Sequence, residues 1–329
     1  MQNLRPAFLI FIAAILLSCE RNLPSVIEDD YVYRKDMRNL VVNIARKARA
    51  TDGNFIIIPQ NGQDVVLRSY CQDCATSIDQ TYMGSIDGIG REDLNYGYSN
   101  EDQPNSTSQI REISSYLNLY KEAQKTILVT DYCSTPGFVD DSYATNQNQG
   151  FVGFAASNRE LNEIPAYPAM PNQVNGSSVR NMSEVKNFLY LINASGFSSR
   201  QNYLQALAST EYDLLIIDAF YDNTLLTRAE VNTLKTKVNG GSRLVVAYMS
   251  IGEAEDYRYY WQQAWNSEKP EWLKDENPQW AGNFKVEYWN SEWHNLIYAG
   301  NESYLSKLLA SGFDGAYLDL IDAFEYFED

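Results

Sequence analysis

The chain's 329 residues include 26 Lys and Arg against 43 Asp and Glu, a formal charge of −17, and one histidine. Nucleic acid is excluded as a partner, because neutralising phosphates needs a basic footprint. A composition of 44% hydrophobic and 13% aromatic residues excludes disorder, and with His294 as the lone imidazole the abundant reactive groups are carboxylates.

The chain opens with Arg5 and then ten apolar residues at 8–17. That run is too short to cross a bilayer and reads as a signal peptide, residues 1–18. The ending Leu16-Leu17-Ser18-Cys19 resembles a bacterial lipobox, which makes Cys19 the expected lipidation site and residues 19–35 a lipidated cysteine with its tether. The body, residues 36–329, is expected in the bacterial cell envelope, periplasmic or on the outer surface. It would meet the membrane only through the N-terminal lipid. Cys71-Gln-Asp-Cys74 has the spacing of a zinc half-site but no histidine nearby to complete it. Neither a metal site nor a cofactor is expected, and Cys71, Cys74 and Cys133 read as a disulfide or as unpaired thiols.

Met37, Leu40, Val41, Ile44 and Ala48 have helical spacing, and Gly53 punctuates before the first strand. Strands are expected at 55–59, 84–88, 126–131, 188–192, 213–218, 243–249, 284–288 and 315–319. Most are short, apolar and too continuous for half-exposed antiparallel strands, which suits a parallel sheet covered by helices. A leftover strand-like piece at 150–156 is assigned to a long insertion, and the Pro- and Asn-rich run 165–178 to loop. Thr227-Arg-Ala-Glu230 is a capping box opening a helix to about residue 238, where Asn239-Gly240-Gly241 stops it. Eight strands alternating with helices predict a (β/α)8 TIM barrel. An open doubly wound sheet fits less well, since no strand is followed by a Gly-rich phosphate fingerprint.

Chemistry in such a barrel sits at the C-terminal strand ends. Those ends carry Gln60 and Asn61, Asp87 followed by Glu92, Asp131, Asp218, the stretch from Ser250 through Glu253 and Glu255, Glu287, and Asp319 with Asp322. Acids ending buried strands are costly unless paired or functional, so several at one mouth suggest glycoside hydrolysis or a divalent-metal site. All six tryptophans fall between Trp261 and Trp293. With Tyr257, a ring such as Trp289 could line a sugar cleft or simply pack.

Two blocks, Val246-Ala-Tyr-Met-Ser-Ile-Gly-Glu-Ala-Glu-Asp-Tyr-Arg258 and Gly312-Phe-Asp-Gly-Ala-Tyr-Leu-Asp-Leu-Ile-Asp322, resemble the endo-α-1,4-polygalactosaminidase family, glycoside hydrolase family 114. The likeness is nearest to its branch once labelled cysteinyl-tRNA synthetase-related. Asn54-Phe-Ile-Ile-Ile-Pro-Gln-Asn-Gly62 and Ile86-Asp-Gly-Ile-Gly-Arg-Glu-Asp93 match too, but in the family they follow the Tyr-Leu-Asp block. The resemblance therefore implies a circularly permuted barrel, strands six to eight first and then one to five, in a single domain. It implies Asp319 and Glu92 as the catalytic acid and base, and Asp218, Glu255 and Arg258 as pocket residues. Glu253, Tyr257, Asp87, Asp131, Trp289, Gln60 and Asn61 are added as substrate contacts from their strand-end or aromatic positions. The expected ligand is a polysaccharide or oligosaccharide, possibly of amino sugars. Tyr317 departs from the family, standing where the hydrolases carry the glutamate of Glu-Pro-Asp. Two other functions remain open: a non-catalytic carbohydrate-binding surface lipoprotein, or a metal-dependent site built from the same acids.

Overall fold

A computed structural model describes residues 32–68 and 77–328. Cys19, Cys71, Cys74, the signal peptide and most of the tether lie outside the described residues. Helix α1, Val32–Arg49, begins inside the stretch expected as tether, and it buries Met37, Leu40, Val41, Ile44, Ala45 and Ala48. Its first turn is tied down: Tyr33 packs on Trp289 with ring centroids 5.1 Å apart, and the Arg34 guanidinium reaches Glu328 at 3.0 Å.

Parallel strands follow: β1 (Ile56–Pro59), β2 (Gly88–Glu92), β3 (Thr126–Tyr132), β4 (Val152–Ala156), β5 (Phe188–Leu191), β6 (Leu214–Asp218), β7 (Leu244–Ser250) and β8 (Gly315–Asp319). They form two sheets, ordered β1-β8-β7-β6-β5 and β2-β3-β4. First and last strands pair directly, Ile56 opposite Gly315 through Pro59 opposite Leu318. A parallel bridge from Gln60 to Gly90 links the sheets, and Asn61 N donates to Gly90 O at 2.9 Å. Between β4 and β5 no ladder forms among the described residues, and the seam is filled by Phe154 against Phe188, ring centroids 5.5 Å apart. The hydrogen-bonded ladder thus stays open there. Every residue of β1, β5 and β7 is buried, as continuous apolar runs covered on both faces require.

Three expectations change. The strand expected at 84–88 is displaced: Gly84 and Ser85 close a helix, Gln80–Ser85, whose first turn is capped by Asp79 accepting from Thr81 N and Tyr82 N, and β2 starts only at Gly88. Asn283–Val286 replaces the expected 284–288 strand, and it lies in a separate antiparallel sheet with Glu253–Glu255 and Leu273–Glu276. Its Phe-Lys-Val-Glu alternation is the period of a half-exposed strand. The piece assigned to an insertion is instead β4, paired to β3 from Leu128 opposite Val152 to Tyr132 opposite Ala156. Its strand character is legible in the sequence but its place is not; a Cβ on Gly153 would stand 3.1 Å from Asn146 of the helix Pro136–Gln149 that covers the sheet.

The capping box forms as read, but its helix is Arg228–Leu234, several residues shorter than expected. Beyond it the chain turns into a bridge between Thr236 and Ser242, and Lys237 goes into the interior. Arg200 grips Glu230 at 2.7 Å; that hydrogen bond, with those from Thr227, outweighs burial and pulls the carboxyl down to about 2. A depressed acid stabilises above its unfolded pKa of roughly 4.3, and the contribution is lost as pH falls through about 2. Glu230→Gln and Thr227→Ala should therefore each cost about 1 kcal/mol at pH 7, since the site is partly solvated. Urea unfolding should show the Glu230→Gln gap closing below pH 4 and the Thr227→Ala gap persisting.

Candidate active site

The C-terminal strand ends open into one cleft of about 980 Å³, lined among others by Asn61, Glu92, Tyr132, Arg159, Asp218, Tyr248, Glu253, Glu255, Arg258, Asp319 and Asp322. β2 ends on Glu92 and β8 on Asp319. The Tyr132 hydroxyl donates to Glu92, Glu92 N donates to Asn61 Oδ1 at 3.1 Å, and Asn61 Nδ2 stands 3.4 Å from Glu92 Oε2. Burial pushes the Glu92 carboxyl up; the Tyr132 hydrogen bond opposes this and the neighbouring charge of Asp93 adds to it. Asp319 accepts from Tyr248 Oη at 2.7 Å and from Leu320 N at 2.8 Å. Its carboxyl is held well above the usual range, first by burial and then by the charge of Glu92. Each carboxylate is thus fixed by one tyrosine, and the charge of Glu92 is felt at Asp319.

Residues next to this pair carry backbone strain: Asn61, Asp93 and Leu320 have φ of 59°, 45° and 64°. Asn and Asp tolerate that region, whereas Leu does so at a cost; such outliers cluster where geometry is over-determined by function. Below the cleft, the Tyr317 ring crosses the interior against Gly90, where a Cβ would stand 1.8 Å from its hydroxyl oxygen. Tyr317 thus takes space that only glycine leaves open.

A second cluster centres on buried Arg258, which donates to Asp218 Oδ1 at 2.8 Å and to Glu255 Oε2 at 2.5 Å. Tyr257 Oη adds a bond to Glu255 Oε1 at 2.7 Å. Burial raises the Asp218 carboxyl while the guanidinium opposes it. Glu253 Oε1 accepts from Asn277 Nδ2 at 2.9 Å. Asp322 is pushed up to about 7, mainly by burial and then by Glu325. Among the described residues no group of three or more His, Cys, Asp or Glu is placed to hold a metal ion.

The cleft brings together Asn61, Glu92, Asp218, Glu253, Glu255, Tyr257, Arg258 and Asp319 of the expected set. Four expected residues lie elsewhere. Gln60 is buried beneath the floor, accepting from Tyr190 Oη at 2.8 Å. Asp87 stands before β2 rather than after a strand, so it faces the opposite end, bound to Arg49 Nη2 and Ile57 N at 2.8 Å each. Asp131 is fully buried, its oxygens taken up by Asn95, Ser142 and Asn146. Trp289 packs on Phe327, ring centroids 4.7 Å apart, on the α1 side. Tyr132, Tyr248, Arg159 and Trp280 line the cleft without having been singled out. Tyr132 ends β3 and Tyr248 lies two residues before the end of β7, where the expectation rested on acids and amides. Arg159, whose guanidinium lies 4.4 Å from the Tyr132 ring centroid and 2.9 Å from Asp93, comes from a loop with no sequence signal.

Three relatives share part of this chain. An uncharacterized protein of Methanocaldococcus jannaschii is 36% identical over 155 residues, 47% of this chain and 43% of that protein. One of Thermotoga maritima is 40% identical over 120 residues, 36% of each chain, and one of Deinococcus radiodurans 40% identical over 126 residues, 38% of each. The chain spans less than half the length of these curated relatives. Residues 169–329, which carry β5 to β8 and with them Asp218, Glu255, Arg258 and Asp319 but not Glu92, match the model of Glycoside-hydrolase family GH114.

Proposed function

We propose that the chain is an exported, lipid-anchored glycoside hydrolase that cleaves a polysaccharide, possibly of amino sugars, with Asp319 and Glu92 as its two carboxylates. One observation carries it: both acids end strands that line one cleft, β2 and β8 with β1 between them, each held by a tyrosine hydroxyl and each raised by burial. Pairs whose environments split their proton affinities suit acid and base roles. Asp319, the more strongly raised, is the neutral acid that protonates the leaving oxygen. Glu92, ionised, attacks the anomeric carbon or takes the proton of the attacking water. As the glycosidic C–O bond breaks, the leaving sugar keeps the proton of Asp319.

The two sheets are read as arcs of one eight-stranded barrel, supported by the β8–β1 ladder and the Gln60–Gly90 bridge. A circular permutation is supported by block order, the Asn54–Gly62 and Ile86–Asp93 stretches preceding the Tyr-Leu-Asp block that they follow in the family. The chain would then supply the family's strands six to eight first and strands one to five after them. Export and the anchor at Cys19 rest on the N-terminal sequence.

A carbohydrate-binding protein without turnover is the second reading, favoured by Tyr317 where the hydrolases have a glutamate. Incubation of the protein with galactosamine-containing and other polysaccharides separates the two. New reducing ends and released oligosaccharides are the expected result; ligand retention with no release from any polymer would support the binder.

A further inference from the structure

The six tryptophans are not equivalent. Trp261, Trp265, Trp272 and Trp293 form a chain of ring contacts, with centroids 5.2, 5.3 and 5.5 Å apart in sequence order, and Trp289 packs on Tyr33 and Phe327. Trp280 is 48% exposed, lines the cleft, and has no ring or cation contact among the described residues. Leaving so large an apolar face in water is costly unless something covers it.

Its backbone is nonetheless held firmly. Trp280 N donates to Asn277 O at 3.2 Å, Asn283 N donates to Trp280 O at 3.1 Å, and Asn277 N donates to Asn283 O at 2.7 Å. Glu276 Oε1 accepts from Gly282 N at 2.7 Å, and Gly282, at φ 86°, lies so near Asp256 that a Cβ there would stand 2.8 Å from its carboxylate. The turn between the antiparallel strands Leu273–Glu276 and Asn283–Val286 is therefore a fixed mount. Around it the cleft wall is amide-rich: Asn277, Gln279 and Asn283. Beneath, Glu253 is 1% exposed; its Oε1 accepts from Asn277 Nδ2 at 2.9 Å and faces Lys285 Nζ at 3.4 Å, while Oε2 has no hydrogen-bond partner.

We infer that Trp280 is the platform of a distal sugar subsite, on which one pyranose ring of the substrate stacks its C–H face while its hydroxyls meet Asn277, Gln279 and Asn283. The subsite rests on the glycoside-hydrolase reading of this cleft and adds to it. It belongs to the excursion between β7 and β8, away from the β2 end that carries Glu92. It therefore holds a sugar other than the one being cleaved, and favours chains over single sugars.

The test uses the Asp319→Asn protein, so that ligands persist, titrated with galactosamine oligosaccharides and malto-oligosaccharides of increasing length while tryptophan emission is followed. Since the other five tryptophans are buried or half-buried, the emission change on binding should come from Trp280. Adding Trp280→Ala should abolish that change and weaken binding of the longer oligosaccharides about tenfold, while Trp280→Phe, which keeps a face, should stay within about threefold. Unchanged affinity in the Trp280→Ala protein would overturn the subsite and leave the hydrolase reading intact. Failure of every oligosaccharide to bind with Trp280 present, together with no release from any polymer by the wild-type protein, would overturn both.

Discussion

Asp319→Asn should lower turnover by about 10²- to 10⁴-fold, the usual worth of a positioned general acid, and at the same time make the protein more stable at neutral pH. Glu92→Gln should lower turnover as severely by removing the base or nucleophile. The stability gain follows from the sign of the shift. The Asp319 carboxyl is raised in the folded protein, by burial and by Glu92, so the folded state binds its proton more readily than the unfolded chain does. Stability contributed by such a group is full below the unfolded pKa of roughly 3.9 and is lost as pH rises through the folded value. An amide has no charge to desolvate. Asp319→Asn should therefore gain about 1–2 kcal/mol at pH 7, seen as a melting temperature a few degrees higher. The gain should vanish near pH 4. Because both carboxyls are raised, the pH–rate profile should sit above that of an ordinary carboxylate pair. Equal melting temperatures across this range, or undiminished turnover, would remove Asp319 from the role given to it.

Asp213→Ala should be the most destabilising of the substitutions considered, by about 3–5 kcal/mol, since it strands a buried ammonium. Lys237 Nζ stands 2.9 Å from Asp213 Oδ1, and both side chains are completely buried. Asp213 also accepts from Asn175 Nδ2 at 3.0 Å and Lys186 N at 2.9 Å, while Lys237 donates to Asn175 O at 2.9 Å. One acid just ahead of β6 thus fastens the turn after the Arg228–Leu234 helix, the 165–178 loop and the entry to β5. Pairing Asp213→Leu with Lys237→Met should recover most of the loss, because two apolar chains leave no unpaired charge. Chemical unfolding of the single and double variants decides this: additive losses would show that the two residues do not act as a pair.

Much of the fold was legible because burial on both faces leaves continuous apolar runs, as in Ile56–Pro59, Leu214–Asp218 and Leu244–Ser250. Residues 150–156 also read as a strand; their place is misread because the 284–288 stretch fills the count of eight, although that stretch belongs to the separate antiparallel sheet. At Asn283–Val286 the alternation was visible but was outweighed by its apolar members. The cleft acids could be found from strand ends, since a carboxylate at the end of a buried strand needs a reason. Asp87 and Asp131 met the same test and failed it in space: Asp87 lies before its strand, and Asp131 is consumed by three polar neighbours. Trp280 was one of six rings that composition cannot tell apart. Only the tertiary arrangement, which packs the others, leaves its face in the cleft.

The shared proton affinity of Glu92 and Asp319 is measured directly by titrating the side-chain carboxyls with ¹³C NMR, assigned through Glu92→Gln and Asp319→Asn. Asp319 is expected to remain neutral well above the ordinary aspartate range, and its titration is expected to move down when Glu92 is replaced by Gln, because the charge of Glu92 is one of its causes. Glu92 is expected to titrate above a free glutamate but below Asp319. Two carboxyls titrating near roughly 3.9 and 4.3, as in unstructured peptides, and indifferent to each other's replacement, would contradict the pair on which the proposed hydrolysis depends.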